Sequence, residues 1–66
     1  MIVLLNGQAT TVAAGITVGA VVDSLGRDRR GLAVAVNEEV VPASCWDKTE
    51  LHDKDRVEVL TAAQGG

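Results

Sequence analysis

Cysteine, proline and aromatic residues each occur once in this chain of 66 residues, and cations are fewer than anions. A lone cysteine, Cys45, cannot close an internal disulfide, which accords with a reducing compartment. His52 is the only histidine and lies in a different local segment, so Cys45 has no nearby base to make it a nucleophile. The longest apolar runs, 1–5 and 32–36, fall far short of the roughly 20 residues a membrane-crossing helix needs. The start has neither the basic segment nor the apolar stretch of a secretory signal, so a cytoplasmic protein with no membrane partner is expected. The net charge of −3 argues against nucleic acid, whose binding needs a basic face to displace counterions. No phosphate-cradling glycine motif is present, because Gly65-Gly66 has no helix after it to hold an anion. Any nucleotide must therefore come from a partner. A chain of this size hides only about 60% of its unfolded surface, which leaves little room for an enclosed catalytic pocket.

What is present reads as one small folded domain. A hydrophobic content of 47% with 23% charged residues suits a globular chain rather than a disordered one. Met1 to Leu5 is apolar, Asn6-Gly7 follows, and Gln8 to Val12 contains a β-branched run. Asn-Gly tolerates the positive φ of a type I′ turn, so this stretch predicts a β-hairpin. Thr17 can cap a helix in which Val18, Val21, Val22 and Leu25 form one apolar stripe, and Gly26 supplies a left-handed stop. A helix of about eight residues is not stable alone in water, so its valines need a sheet to lie upon. Leu32 to Val36 predicts a third strand with Leu32, Val34 and Val36 pointing inward. Asn37-Glu38-Glu39 predicts a turn, and Val40-Val41 a short fourth strand ended by Pro42. Ala43 to Leu51 has no clean period; Trp46 and Leu51 suggest a helical turn and loop that close the core. Arg56 to Leu60 predicts the last strand, with Val57 and Val59 on one face and Glu58 and Leu60 on the other.

Three features carry chemistry on paper only. Trp46 reads as a structural anchor before a ligand-stacking surface. His52 with Glu50, Asp53 and Asp55 reads as a charged loop before a metal site, since the spacing fixes no coordination geometry. Arg27, Arg29 and Arg30 read as a solvated helix end, where cations favour the negative dipole terminus, before a docking contact.

The final residues, Ala63-Gln64-Gly65-Gly66, are more informative. At a glycine frequency of about 7%, a chain ends in Gly-Gly by chance about once in 200 cases. Gly-Gly at a domain end is expected to fray, and a frayed end can be threaded into another protein. Without a Cβ on either residue, the terminal carboxylate is the least shielded a polypeptide can present. Joined to AMP as a mixed anhydride, it gains a good leaving group and can be taken by a sulfur or nitrogen nucleophile. The tail would then be a substrate, and the chain not an enzyme.

The order of these elements resembles the β-grasp fold of ubiquitin-like proteins. The chain is more closely similar to the ThiS family of sulfur carriers of thiamine biosynthesis, within the wider ThiS and MoaD group. The resemblance runs from Ile2-Val3-Leu4-Leu5-Asn6-Gly7 and Gly15-Ile16-Thr17-Val18 through Ala35-Val36-Asn37 and the Val40-Val41-Pro42 to Trp46 stretch. It ends with Asp53-Lys54-Asp55-Arg56-Val57-Glu58 and Gly65-Gly66. Lys54 departs from the family's usual glycine between two aspartates, which concerns loop geometry.

The resemblance implies an α+β fold with a mixed sheet of four to five strands and one helix packed across it. It implies that a ThiF-like enzyme uses Mg-ATP to adenylate Gly66, that a cysteine desulfurase persulfide supplies sulfur for a thiocarboxylate, and that a ThiG-like thiazole synthase receives it. No cofactor or metal bound by the chain itself is expected. MoaD-like carriers for molybdopterin, carriers for cysteine synthesis, ubiquitin-like protein modifiers and a plain interaction module remain open. The absence of proline before Gly-Gly weighs against the MoaD-like reading.

A β-grasp domain at 1–62 and a flexible tail at 63–66 are expected, with Gln64 and Gly65 threading and Gly66 modified. The expected core is Val3, Leu5, Val18, Val21, Val22, Leu25, Val34, Val36, Trp46, Val57 and Val59. The inward pair Val3 and Leu5 is chosen by the resemblance, since that strand is apolar on both faces. Ile2, Leu4 and Leu60 are then expected on the uncovered sheet face as a partner-docking patch.

Overall fold

Asn6 and Gly7, at φ 51° and 83°, turn β1 (Ile2–Leu5) back into β2 (Gln8–Thr11), with Leu5 opposite Gln8 and Ile2 opposite Thr11. In this computed structural model the described residues are 1–26 and 28–61; Arg27 and 62–66 lie outside them. The expected tail, Gln64, Gly65 and Gly66, and the domain boundary after residue 62 therefore also lie outside the described residues. Helix α1 (Val18–Ser24) starts as its residues dictate: Thr17 is extended, and its side-chain oxygen accepts from the Ala20 N–H at 3.1 Å. It ends at Leu25, followed by Gly26 at φ 71°.

Strands β3 (Leu32–Val36), β4 (Glu39–Val41) and β5 (Arg56–Thr61) complete a five-stranded sheet in the order β2-β1-β5-β3-β4. β5 is central, parallel to β1 and antiparallel to β3. The turn between β3 and β4 is tighter than expected. Asn37 and Glu38 take φ 52° and 74°, so Glu39 already pairs with Val36 and belongs to the strand. A glutamate at positive φ carries no turn signal of the kind that glycine gives.

Across one sheet face lie α1 and a 3-10 helix (Ala43–Lys48). Val3, Val18, Val21, Val22, Val34, Trp46, Leu51, Val57 and Val59 are buried together, and Leu5, Leu25, Leu32 and Val36 pack at the margin half-buried. The inward register of β1 is as expected from Val3 and Leu5. Trp46 is 2% exposed and donates its indole N–H to the Val41 carbonyl at 2.8 Å, so its polar atom is satisfied as it fills the core. Two backbone bonds, Val18 N–H to Thr49 O and Leu51 N–H to Ile16 O, tie the start of α1 to the segment after the 3-10 helix. This short helix is held by tertiary contacts, as its length requires.

Candidate functional site on the outer sheet face and the end of the central strand

Residues paired across neighbouring strands share a face, so the register decides what the uncovered face presents. With Val3, Val57, Val59 and Val34 inward, the outward set is Ile2 and Leu4 on β1, Arg56, Glu58 and Leu60 on β5, Ala33 and Ala35 on β3, and Val40 on β4. Ile2, Leu4 and Leu60 are 47%, 37% and 60% exposed, and all three were expected there. They do not form one group. Leu4 stands opposite Arg56, and Leu60 lies four residues further along β5, about 13 Å at strand rise, with Glu58 between. Leu60 has a different company. Ala33 is its partner on β3, and Ala35 lies between Glu58 and Val40, so two small side chains floor a strip from Leu60 to Val40. Val40, 75% exposed, is the residue sequence reasoning left out. Its signal was available: Val41 is the inward residue of a short alternating strand, so Val40 faces out.

Carboxylates of the loop at 50–55 bond to backbone and side-chain groups around it. Asp55 accepts from the His52 N–H at 2.7 Å and from the Asn37 side chain at 3.0 Å, and Asp53 accepts from the Ile2 N–H at 2.9 Å. Those carboxylates shape the turn before β5, and no group of three or more His, Cys, Asp or Glu able to hold a metal occurs among the described residues. Cys45 is half-buried beside Ser44, at the rim of an open groove of about 410 Å³ between β4 and the loop at 49–55.

Arg29 was expected to be a solvated cation and is instead a clamp. Its guanidinium makes paired bonds of 2.8 and 2.9 Å to Asp23 on α1 and of 3.1 and 2.9 Å to Asp47 on the 3-10 helix. It also lies over the Trp46 ring, 5.9 Å from the centroid. Hydrogen bonds from Arg29 hold the Asp23 and Asp47 carboxyls below their usual range, and the two carboxylates push the Arg29 pKa up. Arg30 pairs separately with Asp28 at 2.9 Å and lowers that carboxyl too. Asp23 and Asp47 are 24 positions apart, which is why no local pattern revealed the clamp.

A mixed five-stranded sheet with a helix laid across one face is the ubiquitin-like β-grasp fold, one face covered and the other free. Comparison with known proteins narrows this. The chain belongs to the ThiS family, whose model matches residues 3–66. It is 33% identical to the sulfur carrier protein ThiS of Escherichia coli (strain K12), with both chains covered in full. It is 35% identical over 66 residues to a thiazole synthase of Paramagnetospirillum magneticum, of whose length it spans 20%. Among solved structures it is similar to the crystal structure of the thiamine biosynthesis protein ThiS from Geobacter metallireducens, with a TM-score of 0.85, 30% identity and full coverage of both chains. The solution structure of a thiamine biosynthesis protein from the same organism gives a TM-score of 0.79 at 30% identity, covering 100% of this chain and 88% of that one.

Proposed function

We propose that this chain is a sulfur carrier of thiamine biosynthesis, a folded domain at 1–62 with a projecting tail at 63–66 whose Gly66 carboxylate is the reacting group. The observation that carries this reading is the ThiS family match, which runs through the domain and on to Gly66. Full mutual coverage with the Escherichia coli carrier supports it.

In the chemistry this reading implies, a carboxylate oxygen of Gly66 attacks the α-phosphorus of Mg-ATP on a ThiF-like enzyme. The bond to pyrophosphate breaks and an acyl adenylate forms. The outer sulfur of a persulfide made by a cysteine desulfurase then attacks the acyl carbon, a C–S bond forms as AMP leaves, and a thiol reductant cleaves the persulfide's original S–S bond to leave the thiocarboxylate. The chain contributes the acyl group, a tail that threads a narrow channel through Gln64 and the side-chain-free Gly65, and a docking face. The likeness to a thiazole synthase supports a ThiG-like enzyme as the recipient of the sulfur.

Positioning of reacting groups contributes about 7–11 kcal/mol to such steps, so Å-scale displacement of the carboxylate is costly. Gly66→Ala adds a Cβ beside the reacting carbon, and deletion of Gly66 sets the carboxylate back by about 3.5 Å of extended chain. Both variants are expected to keep the wild-type thermal midpoint and lose most ATP–pyrophosphate exchange with a ThiF-like enzyme. Adenylation of the deletion variant at the wild-type rate would contradict the carrier reading. Mass spectrometry of the chain purified from its own cells should also find a fraction in which sulfur replaces one C-terminal oxygen.

A further inference from the structure

The parallel ladder between β1 and β5 continues past the point where β1 turns away. Leu4 N–H donates to Asp55 O at 2.9 Å and Asn6 N–H to Val57 O at 2.8 Å, each bond stepping two residues along both strands. The next step of a regular parallel ladder would bring the Val59 N–H to the backbone carbonyl of residue 6 and the N–H of residue 8 to the Val59 carbonyl. Neither can form, because Asn6 and Gly7 at positive φ carry the chain into the hairpin, and Gln8 pairs on the far side of β1. The Asn6 carboxamide takes both places. Its Oδ1 accepts from the Val59 N–H at 2.9 Å and its Nδ2 donates to the Val59 carbonyl at 3.3 Å. A side-chain amide thus stands where a peptide unit would, and β5 is held from the β1 side as far as Val59.

We propose that Asn6 is a positioning residue for the tail chemistry, fixing the root from which the chain runs toward Gly66; this rests on the carrier reading above. β3 holds the other edge of β5 as far as Thr61 while Asn6 holds the β1 edge at Val59, and each residue of β5 freed from the sheet changes the reach of the carboxylate into a partner's channel by up to about 3.5 Å. The docking face does not include Asn6. Loss of its carboxamide should therefore leave encounter with the activating enzyme intact and slow the step that needs the carboxylate in place.

Asn6→Gly is the clean variant, because glycine keeps the positive φ of the turn and removes only the amide. Asn6→Asp also accepts positive φ and keeps an acceptor for the Val59 N–H, but loses the donor. In ATP–pyrophosphate exchange with a ThiF-like enzyme, Asn6→Gly is expected to lower kcat on the order of tenfold while KM for the carrier stays within about twofold. Asn6→Asp should recover part of kcat. Hydrogen exchange at the Val59 amide should accelerate in Asn6→Gly while Val34 and Val57 stay protected. A merely stabilising role would give another pattern: a partly unfolded carrier raises apparent KM and leaves kcat at saturation unchanged. Wild-type kcat in Asn6→Gly overturns the positioning role alone. A wild-type chain that supports no exchange overturns the carrier reading and this inference with it.

Discussion

Lys54 holds φ at 72° in the turn before β5, where its N–H donates to the Ile2 carbonyl at 2.6 Å and so helps set the start of the β1–β5 pairing. A side chain in this left-handed region costs roughly 1–2 kcal/mol, and glycine pays nothing there. Against that, glycine gives the unfolded chain more freedom, worth about 0.4–1 kcal/mol in the other direction. The strain term is the larger and Lys54 is exposed, so little packing is lost. Lys54→Gly is therefore expected to stabilise the domain by about 0.5 kcal/mol, read as a higher urea midpoint at unchanged slope. Lys54→Val, β-branched in the same conformation, should lower it. A lower midpoint for the glycine variant would show that the lysine does something in this turn beyond occupying it.

Between elements, the Arg29 clamp joins α1 to the 3-10 helix, and its geometry explains a residue that helix propensity alone would not place. Gly19 sits in the first turn of α1, where an added Cβ would overlap the Asp47 carboxylate and stand 2.8 Å from Arg29 Nη2. Alanine at 19 would restrict the unfolded chain more than glycine does, yet it would push apart the ion pair that crosses there. The Asp23, Asp28 and Asp47 carboxyls have lower pKa values in the folded state than the ordinary 3.8. A group so lowered contributes stability that is complete above its unfolded pKa and is lost as pH falls through the folded one. Arg29, raised, stays charged throughout that range. Thermal midpoints should thus hold steady from neutral pH down to the region of 3.8 and fall below it. Arg29→Met, which keeps an apolar stem over Trp46, should flatten that fall, and added salt should mimic it because both of its carboxylate partners are exposed. An equally steep acid transition in Arg29→Met would place the responsible carboxylates elsewhere. The local signals at this scale were plain in the sequence: Asn6-Gly7 for the hairpin, Thr17 and Gly26 for the helix, the Val57 and Val59 alternation for β5. The clamp was not, because it joins side chains brought together only by the packed fold, and the early start of β4 was hidden by a glutamate at positive φ.

For the whole molecule, the alternation within each strand showed which residues face outward, but only long-range register shows which of them are neighbours. Ile2, Leu4 and Leu60 could be read as exposed apolar residues on adjacent strands. That Leu4 meets Arg56, while Leu60 shares a strip with Ala33, Ala35 and Val40, follows from the offset of β1 against β5, which nothing local encodes. The strip around Leu60 also lies at the end of β5 that leads to the tail, so a partner covering it would receive the tail close by. Burying a leucine side chain contributes about 1.5–3 kcal/mol, so Leu60→Asp should weaken binding to a ThiF-like enzyme at least tenfold, with unchanged far-ultraviolet circular dichroism. Two double-mutant cycles then separate one continuous docking surface from two. Leu60→Asp with Val40→Asp should couple, since a partner group lying on the alanine-floored strip touches both, whereas Leu60→Asp with Leu4→Asp should add to within about 0.5 kcal/mol, because Arg56 and Glu58 lie between them and they share no such group. Strong coupling of Leu60 to Leu4 would mean that the partner bridges Arg56 and Glu58 and reads the whole face as a unit. Wild-type affinity in Leu60→Asp would remove the strip from the docking surface and leave the tail as the only element the partner recognises.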